Sequence, residues 1–536
     1  MIEREQLPKL ILNSTMHVFK TVAALRCYLN SFRTHSPGKT VGFVPTMGSL
    51  HPGHLSLMTR ARVETAQVVV SIFVNPLQFG PREDFQQYPR SLEQDLEKCQ
   101  QAGVDVVFLP SIEELFAKGS SLNHFPLDTS DLKFQTTVVS PDFLTSQLCG
   151  QSRPGHFQGV TTIVAKLLNI VQPHRAYFGQ KDAQQLTIIQ RMVADLNWPV
   201  EIVPCPIYRE PSGLAYSSRN QYFTPEQKEK ASVLYRALSQ GQAVFSQGQQ
   251  TDSAIKTAVL KALETVPEVQ LEYLELVDPV NLQPLSEVEE TGLLALAVHL
   301  GQTRLIDNII LRNRQPIIAI DGPAGAGKST VTRKIAEQLG LLYLDTGAMY
   351  RAVTWLVLQA GIDLEDEPAI AELVDQCQIE LIPQEGQLQV KINSHEVTEA
   401  IRSPEVTAHV SAISAQNAVR HSLVQQQRAY GRRGGLVAEG RDIGTNVFAD
   451  AELKIFLTAS VEARCQRRQL EMQQKGQEKV SLEQLQQEIA LRDQKDSSRA
   501  IAPLQKAVDA IEINTDNLTI AEVTDCIIQY YHKVCP

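Results

Sequence analysis

Residues 315–330 read QPIIAIDGPAGAGKST, and no other stretch of the 536-residue chain narrows its fold as far. Gly322, Pro323, Ala324, Gly325, Ala326, Gly327, Lys328 and Ser329 fill every position of G-x-x-x-x-G-K-[ST], with Thr330 following. The motif works only where a strand hands over to a helix. Ile317–Ile320 reads as that strand, and Thr330–Leu339 has the helical pattern. In that setting successive loop N–H groups form an anion cradle, Lys328 reaches the β- and γ-phosphates of a nucleotide, and Ser329 ligates Mg2+. The motif opens a domain near residue 315, which leaves everything before Asn313 to a separate folded body.

That preceding stretch is also α/β in pattern. Short β-branched runs (Thr40–Val44, Val68–Val74, Val104–Leu109, Ile202–Val203) alternate with longer helical patterns, as βαβ units of a mostly parallel sheet require. A boundary is expected near Asn313–Gln315, after a final strand Leu305–Leu311; its linker is short and holds neither Gly nor Ser. A second is expected near residues 206–220, where amphipathic helices Glu226–Ala243 and Ser253–Val266 open a small α+β subdomain. The domain reading is thus 1–312, with parts at about 1–206 and 207–312, followed by 313–536. Residues 118–140 lack periodicity and read as a loop-rich insertion.

Composition limits the partners. The net charge of −10 (50 Lys and Arg against 60 Asp and Glu) argues against a large nucleic-acid footprint, though not against nucleotides, which need only a local cation cluster. None of the eight cysteines forms C-x-x-C, so neither a zinc pair nor a disulfide framework is expected, and scattered thiols fit a reducing compartment. Glu3 and Glu5 precede any apolar run, and no apolar stretch approaches 18 residues, so neither a secretory signal nor a membrane span is expected. These features point to a cytoplasmic protein with no membrane partner.

In the first half, VGFVPTMGSLHPGHLSLMTRA reads as a strand, a glycine-bearing turn and a helix, and carries H-x-G-H at His51, Pro52, Gly53 and His54. Gly48 and Gly53 permit close backbone approach, and the helix N-terminus offers N–H groups and positive dipole to phosphate. Two histidines placed there can stabilise charge on a departing pyrophosphate. Four further segments, FVNPLQF (73–79), SRPGHFQGV (152–160), FGQKDAQQL (178–186) and GLAYSSRNQY (213–222), accompany it.

With these motifs, residues 18–311 resemble the pantothenate synthetases. The resemblance implies a Rossmann-like nucleotidyltransferase domain with a small C-terminal domain, usually dimeric, that joins pantoate to β-alanine with ATP and Mg2+ by way of a pantoyl adenylate. It implies an ATP site formed by Met47, Gly48, Ser49, Leu50, His51, Pro52, Gly53, His54, Gly179, Gln180, Lys181 and Asp182, with Lys181 on the phosphates. Tyr216, Ser217, Ser218 and Arg219 would close over the triphosphate, Gln78 and Gln185 would hold pantoate with Asn75 nearby, and Arg153 would serve the β-alanine or phosphate side. His51, His54 and Lys181 are the expected catalytic residues. Gln180 stands where the family more often has Glu, and Tyr216 where it has Met, so Tyr216 is expected to act through its backbone. H-x-G-H alone does not separate such a ligase from a cytidylyl- or adenylyltransferase; FVNPLQF and SRPGHF favour the ligase.

In the second half, LDTGAMYRA (344–352), AEGRDIGTNVF (438–448) and LRDQKDSSRA (491–500) join the phosphate loop. Together they make residues 315–533 resemble the cytidylate kinases, P-loop nucleoside-monophosphate kinases that phosphorylate CMP and dCMP. The resemblance implies that Thr346, Arg351, Arg441 and Arg499 receive the CMP phosphate and that Ser411, Arg420 and Asp442 read the cytosine edge. Arg492 and Asp496 would contact ribose and shape a lid, and Lys328 is the expected catalytic cation. Thr346 stands where Ser is common, and Lys495 where Arg is. No N-K-x-D guanine signature is present, which disfavours a GTPase.

Overall fold

The computed structural model describes residues 16–80, 85–86, 88–116, 136–384, 387–474, 481–497 and 502–534. It divides into two compact units, Met1–Arg312 and Asn313–Pro536. Most of the 118–140 stretch lies outside the described residues; its described part, 136–140, has no regular structure.

The first unit holds a sheet of β1 (His17–Phe19), β2 (Val41–Thr46), β3 (Gln67–Ile72), β4 (Val106–Phe108), β5 (Arg175–Gly179) and β6 (Glu201–Cys205), in the order β1-β4-β3-β2-β5-β6. Every pairing is parallel. Helices cover both faces, so the central strands are continuous β-branched runs and not alternating ones; β3 is buried along almost its whole length. The chain runs from β2 outward through β3 and β4, then returns to place β5 on the other side of β2. That reversal is a switch point, where the turns after neighbouring strands diverge and leave a crevice at their carboxyl ends. The turns concerned carry H-x-G-H, after β2, and Lys181, after β5.

The small subdomain is an antiparallel meander, β7 (Val269–Val277), β8 (Thr291–Leu300) and β9 (Thr303–Arg312), packed on helices Val233–Ser246 and Asp252–Leu263. The helix expected over Glu226–Ala243 is two helices, Pro225–Ala231 and Val233–Ser246. Ser232 separates them: its hydroxyl donates back to the Glu229 carbonyl at 2.6 Å and competes with the helical ladder.

In the second unit, β10 (Ile317–Asp321), β11 (Leu342–Asp345), β12 (Ile379–Gln384), β13 (Gln387–Ile392), β14 (His395–Glu396), β15 (Leu436–Gly440), β16 (Leu453–Thr458) and β17 (Ile511–Asn514) follow in turn. Five form a parallel sheet in the order β11-β15-β10-β16-β17, which makes the strand before the phosphate loop central. β12–β14 form a separate antiparallel sheet that the sequence reading did not foresee.

Candidate active sites

In the first unit, His51 caps the helix Pro52–Glu64 and its ring stacks on His54, centroids 3.9 Å apart. The Nδ1 atoms of both rings are buried without a hydrogen-bond partner among the described residues. Burial depresses both imidazoles, His51 to about 2 and His54 to about 4, and the nearby cations Lys181 and Lys98 depress them further. Both rings are therefore neutral at pH 7. They can act as hydrogen-bonding groups, and fixed positive charge comes from the lysines. The helix end offers fewer backbone donors than expected. Pro52 has no N–H, and His54 N is bonded to the His51 carbonyl at 2.8 Å. This helix end therefore offers a ligand side-chain groups more than backbone donors.

The turn itself is shaped from below. Asp95, 1% exposed, accepts Ser49 N and Leu50 N, each at 2.8 Å. Lys98 Nζ donates to the Leu50 carbonyl at 2.7 Å. These bonds hold Gly48 (φ 82°) and Ser49 (φ 52°) in the left-handed region. A Cβ at Gly53 would lie 3.0 Å from the His51 ring, so any side chain there would press on that ring. Tyr216 contributes its ring and not only its backbone, stacked 6.3 Å from His51 and tilted against Tyr208 at 5.7 Å. Ser217 caps the turn Ser218–Tyr222, and Gln221 Nε2 donates to Ser49 Oγ at 2.9 Å, tying the expected closing segment to the H-x-G-H turn.

A cavity of about 1250 Å3 lies between the nucleotide-binding part and the small subdomain; Arg153, Lys181, Asp182, Gln185, Ser217 and Arg219 are among its walls. Asn75 is 1% exposed, and its amide donates to Gln78 Oε1 and to the Gly159 carbonyl, each at 3.1 Å. It therefore orients Gln78 from behind. The Gln78 carbonyl in turn takes Arg153 Nη2 at 3.2 Å and His156 Nδ1 at 2.8 Å. Asp95, Lys98, His156 and Gln221 were missed in the sequence. His156 and Gln221 lie within the motifs SRPGHFQGV and GLAYSSRNQY, and Asp95 shares the helix Leu92–Gln101 with Cys99, four residues on, where a charge on a buried stripe needs a partner.

In the second unit, Gly322 (φ 146°), Gly325 (φ 79°) and Gly327 (φ 87°) bend the phosphate loop, and Lys328 begins the helix Lys328–Leu339. Lys328 Nζ folds back onto the carbonyls of Gly322, at 2.7 Å, and Pro323, at 2.8 Å. Burial and the Arg441 charge hold its pKa well below the usual lysine value. Ser329 Oγ donates to Glu439 at 2.9 Å, and Tyr343 OH donates to the other oxygen of that buried carboxyl. Thr346 Oγ1 donates to the Glu439 carbonyl at 2.7 Å. Asp321, whose pKa burial raises to about 6, accepts Ile443 N at 2.8 Å and Gly444 N at 2.7 Å. That bracket anchors the Gly440–Gly444 segment to the end of β10.

The expected acceptor residues form linked pairs. Arg420 and Asp442 are a buried ion pair, and Asn446 Nδ2 adds a bond to Asp442 at 2.9 Å. Arg441 Nε donates to Asp496 at 2.9 Å, Arg351 Nη2 to Asp345 at 3.2 Å. Ser411 is half-buried on the helix Pro404–Ile413, and Arg492 lies on the helix Leu482–Ser497 beside Asp493 and Asp496. Arg464 pairs with Asp493 and donates to the loop carbonyl of Ala324 at 3.2 Å. Arg499 lies outside the described residues. Glu439, Asp321, Tyr343 and Arg464 were missed, because their roles depend on partners far away in the chain.

These arrangements define the class: an α/β nucleotide-dependent enzyme in each unit, the first with a switch-point site built on a histidine pair, the second a P-loop phosphotransferase. The family model Pantoate-beta-alanine ligase matches residues 17–310, and Cytidylate kinase matches residues 318–533. Two relatives, each called "Bifunctional pantoate ligase/cytidylate kinase", are 57% identical: one from Trichormus variabilis, covering 97% of this chain and 99% of that protein, and one from Trichodesmium erythraeum, covering 97% and 98%. The crystal structure of pantothenate synthetase from Thermus thermophilus is 48% identical with a TM-score of 0.50, covering 55% of this chain and 99% of that one. The chain belongs to the bifunctional pantoate ligase/cytidylate kinase family. It is an ATP-using enzyme with a ligase half and a kinase half.

Proposed function

We propose that the first unit condenses pantoate with β-alanine to give pantothenate, AMP and diphosphate, and that the second transfers the γ-phosphoryl group of ATP to CMP and dCMP. For the first reaction the carrying observation is the stacked, buried His51–His54 pair with its unpartnered Nδ1 atoms, within the field of Lys181 and Lys98. A pantoate carboxylate oxygen attacks the α-phosphorus, and the bond to diphosphate breaks. The neutral imidazoles donate to the departing oxygens, and Lys181 offsets their charge. Gln78 and Gln185 hold pantoate, Ser217, Ser218 and Arg219 close over the phosphates, and Arg153 serves the β-alanine or phosphate side. The amine then displaces AMP from the acyl carbon, a step that needs little beyond positioning. Pantoate-dependent exchange of labelled diphosphate into ATP is expected without β-alanine; exchange that requires β-alanine would rule out a free acyl adenylate.

For the second reaction the carrying observation is the buried pair of Arg420, on the helix Asn417–Tyr430, with Asp442, next to Arg441: a fixed donor and acceptor. The pair can read the cytosine edge, and Thr346, Arg351 and Arg441 receive the phosphate. Ser329 fits Mg2+, since its hydroxyl already faces the buried Glu439 carboxyl. Bound there, the ion would neutralise charge on the β- and γ-phosphates. CMP and dCMP are expected to exceed UMP by about 5- to 150-fold in kcat/KM, the equivalent of the about 1–3 kcal/mol cost of an unpaired buried polar group. Equal turnover of UMP and CMP in a coupled ADP assay would remove the base-reading assignment.

We further propose a homodimer formed through the ligase half and a cytoplasmic location, with no nucleic-acid or membrane partner. The net charge of −10 supports the lack of a nucleic-acid partner, and among the described residues no helix is long and apolar enough to cross a membrane.

A further inference from the structure

All three strands of the small subdomain line the ligase cavity, and β9 is the one that bonds to the Lys181 turn. Along β9 the odd residues Leu305, Ile309 and Leu311 join the subdomain's own core, whereas Ile306 and Ile310 pack against the core of the nucleotide-binding part. Asn308 belongs to the second set and is 5% exposed. Its side-chain Nδ2 donates to the Gln180 carbonyl at 3.0 Å and to the Lys181 carbonyl at 2.9 Å. Those carbonyls belong to the two peptide groups on either side of the Lys181 Cα. One amide therefore fixes both peptide planes, and with them the direction in which the Lys181 side chain leaves the backbone.

The amide is itself braced. Asn308 N donates to Asp307 Oδ1 at 2.8 Å, and Arg209 holds Asp307 with two bonds of 2.6 and 2.9 Å. Arg209 also donates to the Gly213 carbonyl at 3.1 Å and stacks on the Tyr235 ring at 4.1 Å. Gly213 opens the segment that leads to Ser217–Arg219, so one bracket reaches both the Lys181 turn and the root of the expected closing segment.

We propose that Asn308 is a positioning residue of the ligase reaction, acting from the small subdomain through Lys181. This rests on the reading of Lys181 as the phosphate-binding cation of adenylation. Asn308 touches no reacting atom; it sets where that cation stands, and a misplacement of about 1 Å costs on the order of 100-fold.

The test uses the full chain and pantoate-dependent exchange of labelled diphosphate into ATP. Asn308→Ala removes both donors. Asn308→Asp keeps the shape but turns an acceptor toward two carbonyls, and serves if the alanine variant does not fold. Each is expected to lower the exchange kcat by about 10- to 100-fold in a protein that circular dichroism shows to be folded, with CMP phosphorylation unchanged. The same substitutions are then made in a Lys181→Ala background. If Asn308 acts through Lys181, they cost little more there, because the group they position is gone. Wild-type exchange by folded Asn308 variants, or an equal loss with and without Lys181, overturns the inference. Absence of exchange in the unaltered enzyme would instead overturn the adenylation reading on which it rests.

Discussion

Lys328→Ala is expected to lower CMP phosphorylation by about 10²–10³-fold in kcat while pantothenate formation stays near the wild-type rate. The ammonium is the one side-chain cation within the phosphate loop, and it now donates to two neutral carbonyls, Gly322 O and Pro323 O. Phosphate oxygens are stronger acceptors because they are charged, so bound nucleotide can take over those donors. Alanine removes the cation and leaves the cradle of loop N–H groups, so weak nucleotide binding should persist while transfer fails. Lys328→Met, which keeps the length of the side chain, separates loss of charge from loss of packing at this buried position. Circular dichroism and assays of both reactions check the result.

His54→Ala is expected to do the reverse, lowering pantoate-dependent diphosphate exchange by about 10²–10³-fold and leaving CMP phosphorylation intact. His54 is stacked on His51, so its loss removes one donor to the departing diphosphate and the support that orients the other. His54→Gln restores a donor without the ring and should recover part of the rate if hydrogen bonding matters more than stacking. Each unit carries its own set of phosphate-handling groups. A folded variant of either residue that loses both activities would therefore show that the two reactions share a site or are strongly coupled.

Much of both sites could be read without coordinates because their chemistry is local. The phosphate loop is eight consecutive residues whose backbone does the binding, and H-x-G-H sits within one strand–turn–helix, so spacing alone carries the meaning. Strand existence was legible for the same reason: β2, β3, β10 and β9 are β-branched runs that coincide with the expected strands to within about two residues at each end. What was not legible depends on contacts between distant residues. The order β1-β4-β3-β2-β5-β6, which makes a crevice beside β2, follows from how strands pair and not from any one strand's composition.

The groups that shape the sites follow the same rule. Asp95 acts on a turn 46 residues away, Glu439 on Ser329 at 110, Asp321 on Ile443 at 122 and Asn308 on Lys181 at 127. In sequence each is an ordinary polar residue; burial turns each into a positioning group, because a buried donor or acceptor must find a partner and then holds that partner in place. Residue order thus settled which chemistries the chain carries and in which half each lies. Tertiary packing decided which side chains face phosphate and which stand behind them, because desolvation and long-range hydrogen bonds arise only once distant segments are packed together.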